Sequence, residues 1–180
     1  TVPSAWEKWN TDLALGLTPT ENTWIELKAG KSDGEALYAG RAMDGSKFER
    51  ESLGLHLEQR NITDTIKKIE AQIDYSFNDH VMDNFSLRDF KPTANMPMPM
   101  ANNVARRTLN SRIAAHHEWD KLTMIAGINT QKNEHSARKG MHNTYVNLPR
   151  NVDMDFESYG AFTEISYPLN EQHKLVSGLR

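Results

Sequence analysis

The chain has no cysteine, and that one absence removes disulfide staples, thiolate zinc sites and cysteine nucleophiles together. It also lacks any run near the roughly 18 to 20 apolar residues that a membrane-crossing helix needs. No G-x-S-x-G, H-E-x-x-H or G-x-x-x-x-G-K-[ST] motif occurs, and Gly30, Gly34, Gly40 and Gly45 lack the strand–turn–helix context of a phosphate site. An enzyme is therefore not expected. A net charge of −3 over 180 residues leaves no basic footprint, so no nucleic-acid partner is expected either. Helical periodicity is missing too: no 3.6-residue apolar stripe outlasts a turn or two.

What the chain does have is a two-residue period. Ile69 to Met82 reads IEAQIDYSFNDHVM, with Ile69, Ala71, Ile73, Tyr75, Phe77 and Val81 on one face and Glu70, Gln72, Asp74, Ser76, Asn78, His80 and Met82 on the other, the pattern of a long half-apolar strand. The same alternation recurs at Leu13–Leu17, Ile25–Ala29, Leu53–Leu57, Leu109–Ala115, Leu122–Ile128 and Tyr159–Tyr167, and predicts about eight strands. Tight turns fall at TPTEN, NITDT, HEWDK and PLNEQ. Long polar connections fall at GRAMDGSK, SLRDFKPTANMPMPMANN and SARKGMHNTYVNLPRNVDM.

Short turns at one end and long loops at the other are the habit of outer-membrane barrels, whose strands face lipid on one side only and so read as hydrophilic on average. Trp6, Trp9, Trp24, Trp119, Tyr159 and Tyr167 lie near strand ends, where interfacial aromatic girdles form. The fold expected is all-β, an antiparallel up-and-down meander of about eight strands belonging to a larger transmembrane β-barrel. The alternatives are a soluble β-sandwich or a closed, non-transporting eight-stranded barrel with a structural or adhesion role. Soluble strands, however, are usually about five or six residues, shorter than several of these runs, Ile69 to Met82 above all.

Several stretches resemble a known family. NTWIELKAGKSDGEALYAGRAMDGSKFERESLGLHLEQ, then DHVMDNFSLR, then VARRTLNSRIAA and NEHSARKG are similar, in that order, to the barrel of TonB-dependent copper receptors of the outer membrane. The resemblance implies that residues 1–180 are a portion of the β-barrel domain, with the plug domain absent, from a barrel of about 22 strands. It further implies copper uptake across the bacterial outer membrane, outer-membrane lipid around the wall, and energy supplied by the TonB complex through the plug.

Two candidate metal sites follow. His80 and Met82 are two apart on one strand and point the same way, so an imidazole and a soft thioether are available to one ion, and thioether sulfur favours Cu(I). The resemblance implies that these two meet a Cys and a Met carried by the plug, making the chain's own share a half-site. The bland alternative is a polar lumen histidine beside a gap-filling methionine. Met96, Met98 and Met100 form the second candidate: alternate prolines extend the backbone, leaving three thioethers exposed and similarly directed, either to gather Cu(I) or to pack on neighbouring loops. His135, Met141, His142 and Met154 are weaker companions to that loop. His116 and His117 are expected to cap the turn beside Trp119 or to face solvent.

Overall fold

The computed structural model describes residues 4–180, and it is all-β. The strands are β1 (Ala5–Thr20), β2 (Thr23–Leu37), β3 (Asp44–Arg60), β4 (Ile66–Asp83), β5 (Met100–Trp119), β6 (Leu122–Met141), β7 (Asn151–Pro168) and β8 (Lys174–Leu179), with a short 3-10 helix, His142–Asn147, between β6 and β7. All eight belong to one sheet in the order β1 to β8, every ladder antiparallel, which is the expected meander. Among the described residues β1 and β8 are both edges, and there is no second sheet. A closed eight-stranded barrel and a sandwich are thereby removed.

The register lines up the apolar positions into continuous rows. Leu15, Leu27, Leu55 and Ile73 form one, and Leu17, Ile25, Leu57, Ala71, Ile113, Ile128 and Ala161 form the next. These rows are not a core: Leu15 is 55% exposed, Ile73 50% and Ile128 56%, and in the neighbouring row Leu13 is 70% and Leu53 63%. The described apolar residues that are buried number only four, Val81, Ala101, Ala105 and Ala114, far too few to hold strands of 15 to 20 residues together in water. In β4 the band runs from Ile69 to Phe77, close to the 9–11 residues, on the order of a bilayer crossing, that a tilted strand provides. At its loop-side limit, in the cross-strand row of Phe77, the same face turns charged, with Lys31 paired to Glu51 at 2.8 Å and Arg107 to Glu134 at 2.8 Å. The girdle expectation fails at Trp24, which stands on the polar face, edge-on to His56 at 4.9 Å.

The four tight turns fall together at one end and the long connections at the other. Asn61 and Asp120 take left-handed backbone (φ 54 and 49) in two of the turns, a conformation these side chains tolerate well. The long connections are shorter than the sequence suggests. Met100, Asn102 and Asn103 already belong to β5, Lys139 and Met141 still belong to β6, and Met154 lies within β7. The physical reason is that backbone ladders continue past the apolar band, where polar residues on both faces erase the alternation without disturbing the hydrogen bonds.

At this loop end the sheet has a polar interior. Asp44, Asp79, Asp83, Asn84, Asn103 and Ser136 are all buried. Asp79 shares its face with Ile69 and Phe77, yet it accepts hydrogen bonds from Asn103 Nδ2 at 2.5 Å, Arg150 Nη2 at 2.8 Å and Lys47 Nζ at 3.1 Å. Arg88 reaches from the β4–β5 connection to clasp Asp44 and donates to the Tyr38 carbonyl at 2.8 Å. Arg138 holds the 3-10 segment through the Val146 and Leu148 carbonyls at 3.0 and 3.1 Å. Loops are thus tied to the strand tops by buried or half-buried charge, where each bond is worth more than in water.

Candidate metal centre

His80 and Met82 occupy the loop end of β4, past the apolar band, and both lie on the polar face as the alternation requires. His80 is flanked in register by Phe48 and Val104, and Met82 by Gly45 and Asn102. The imidazole stacks on Phe48 with centroids 4.5 Å apart and planes 28° from parallel. Its Nε2 is buried and has no hydrogen-bond partner. Burial pushes the imidazole below its ordinary pKa while the Asp79 charge pulls the other way, with burial prevailing, so the ring is neutral near neutral pH and its lone pair is open to a metal. From the opposite face Asn103 Nδ2 donates to the His80 carbonyl at 3.1 Å, which anchors the backbone under the ring. A second thioether belongs to this neighbourhood: Met43 Sδ accepts from Asn102 Nδ2 at 3.6 Å, and Asn102 is the register partner of Met82.

The Met96, Met98 and Met100 run is not the uniform ladder expected. Thr93 and Met96 close a small turn through reciprocal backbone bonds at 3.1 and 3.2 Å. Met96 Sδ then faces Asn84 Nδ2 at 3.8 Å, Met98 is exposed, and Met100 opens β5 opposite Met141. The reason is Asn84, whose buried amide also donates to the Met98 carbonyl at 3.3 Å and accepts from the Met100 N–H at 2.9 Å. One side chain sets the course of the whole segment.

Part of this fold has been seen before in a solved structure. The chain is similar to "Copper transporter OprC". The match has 48% sequence identity and a TM-score of 0.92, and covers 98% of this chain and 29% of the OprC chain, so the chain spans less than a third of that protein's length. No protein-family model matches, and no curated relative does. The likeness to OprC therefore extends over almost all of the sheet described above, including β4 and the connections around it.

The remaining histidines separate from this centre. His135 lies opposite Met154 and holds Asp153 through Nδ1 at 2.5 Å, whereas His142 stacks at a tilt on Phe85 at 5.2 Å, so these residues and Met141 form no single cluster. His116 and His117, expected to cap the turn or to face solvent, are both half-buried: His116 Nε2 lies 3.5 Å from Glu70, and His117 stacks on Trp119 at 5.0 Å. His56, Glu58 and Glu70 bring ligand atoms within 4.8 Å of one another near the tight-turn end, a convergence that the alternation alone did not reveal. Arg60 and Lys68 pair with Glu58, and Lys68 and Arg112 with Glu70. Three cations for two carboxylates make that cluster a poor receptacle for a further positive ion. Sequence reasoning missed Met43, Phe48 and Asn84, because neither a lone Met in a loop nor a Phe at a strand start carries a periodic signal.

Proposed function

We propose that this chain is part of the wall of an outer-membrane β-barrel that takes up copper with energy delivered through TonB, and that His80 and Met82 are its wall-borne copper donors. The observation that carries the reading is the placement of these two side chains. An imidazole with an unpartnered buried nitrogen and a thioether stand side by side on the polar face, beyond the apolar band. Supporting it are the exposed apolar rows, which suit lipid, and the similarity to a copper transporter.

Chemically the pair is neutral and soft, which favours Cu(I) over harder divalent ions and leaves the ion incompletely coordinated by this chain. The rest of the coordination sphere comes, in this reading, from a plug inside the barrel. Incomplete ligation suits a transporter, because moving the plug takes away half of the donors and frees the ion. Met98, exposed in the β4–β5 connection, and its neighbours Met96 and Met100 gather ions ahead of the site.

The test uses the whole protein. His80→Ala and Met82→Ala should each lower copper affinity by roughly tenfold or more with folding unchanged, and Met82→Ala should weaken Cu(I) more than Cu(II). Wild-type copper content and uptake in the double variant would reject the site.

A further inference from the structure

His80 is held by a residue that offers no hydrogen bond. Phe48 faces it directly across the β3–β4 ladder, and the ring extends over Gly45, where any Cβ would fall inside the ring's own volume. Gly45 is in this sense the floor on which Phe48 lies.

The ladder from Lys47 to Arg60 keeps one unbroken register, which sets Phe48 opposite His80 and sends the Lys47 ammonium to Asp79, 3.1 Å away. A β-bulge then places the glycine. The ladder pairs Lys47 with Val81 and Gly45 with Met82, leaving Ser46 as the extra residue. An even count would put Ser46 opposite Met82, where its side chain would share the face with the Phe48 ring. The bulge puts a residue without a side chain there instead, and the ring lies over it.

The stacked contact has a chemical sense. A hydroxyl or carboxylate partner would also orient the imidazole, but by engaging one of its nitrogens. An aromatic face restrains the rotamer by stacking and leaves the nitrogen lone pair unspent. We propose that Phe48, seated on Gly45 by the bulge at Ser46, is the positioning residue of the copper site and acts through His80. The inference rests on the reading of His80 as a donor.

The experiment measures copper affinity of the whole purified protein by competition with a chromogenic chelator, with the unheated and heated gel mobilities as the check of folding. Phe48→Leu, which fills similar volume without a stacking plane, should weaken copper about tenfold. Phe48→Tyr should restore most of the affinity. Gly45→Ala leaves the aromatic chemistry intact but displaces the ring, and should reproduce the loss; it carries the comparison if Phe48→Leu fails to fold. In a His80→Ala background neither change should cost anything further, since the path runs through the imidazole.

If Phe48→Leu and Gly45→Ala bind as wild type while His80→Ala is weakened, Phe48 does not position the ligand. The same conclusion follows if their losses persist without His80, or if Phe48→Tyr fails to restore binding. If His80→Ala itself binds as wild type, it is the donor assignment that falls.

Discussion

Asp79 is the residue that most contradicts its position. The alternation assigns it to the apolar face of β4, yet it is a buried carboxylate receiving Asn103, Arg150 and Lys47. Burial alone would raise its pKa, but those three donors outweigh burial and hold it below the ordinary aspartate range; Asp83 is lowered likewise, against burial, by Ser46, Ser86 and the Phe85 and Ser86 amides. Groups with depressed folded values stabilise fully above their unfolded pKa and lose that contribution as pH falls through the folded one. The loop end should therefore resist pepsin at about pH 5 and open progressively below about pH 4. Asp79→Ala should remove roughly 3 kcal/mol from the anchoring of the 142–150 connection, because Arg150 is left without its carboxylate, whereas Lys47 keeps Glu49. Limited proteolysis near neutral pH, with accelerated cutting in that connection, is the measurement.

Among the elements, the β4–β5 connection has the least regular backbone and the most dependence on one side chain. Asn84 touches the Met96 sulfur, the Met98 carbonyl and the Met100 amide, so Asn84→Ala should release the segment as a unit. Hydrogen exchange is expected to rise across 93–100 while β4 and β5 keep their protection, and copper uptake should fall when copper is scarce more than when it saturates. Unchanged exchange across 93–100 would remove Asn84 from that role. The same element marks where sequence reasoning ran short. Alternating Met and Pro spells an extended backbone, but Met98 stands at a bend and the turn at Thr93 and Met96 lies beside an amide that precedes it by many residues. The strands were far more legible, since Ile69–Phe77 displays its period in the bare sequence and the ladder only extends it. His80 and Met82 were legible as neighbours on a face, whereas the bulge at Ser46 that brings Gly45 beneath the Phe48 ring leaves no mark in the residue pattern.

At the scale of the molecule, two open edges and an exposed apolar face stand together. The chain of residues 1–180 alone should associate in plain buffer and become monodisperse only in detergent, with β-type circular dichroism in both. A stable monomer in buffer, by sedimentation, would contradict the lipid-facing assignment of the Leu13, Leu53 and Ile128 rows. The neighbour-only order of the sheet has a further consequence, in the kinetics of assembly. Since every ladder joins consecutive strands, closing any pair costs the entropy of a single connection, and no pairing waits on a distant one. The sheet can grow hairpin by hairpin from the tight turns, and the longest connection, between β4 and β5, is the slowest junction to close. The His80 end of β4 is therefore completed on its β3 side, where Phe48 stands, before β5 arrives to cover the other.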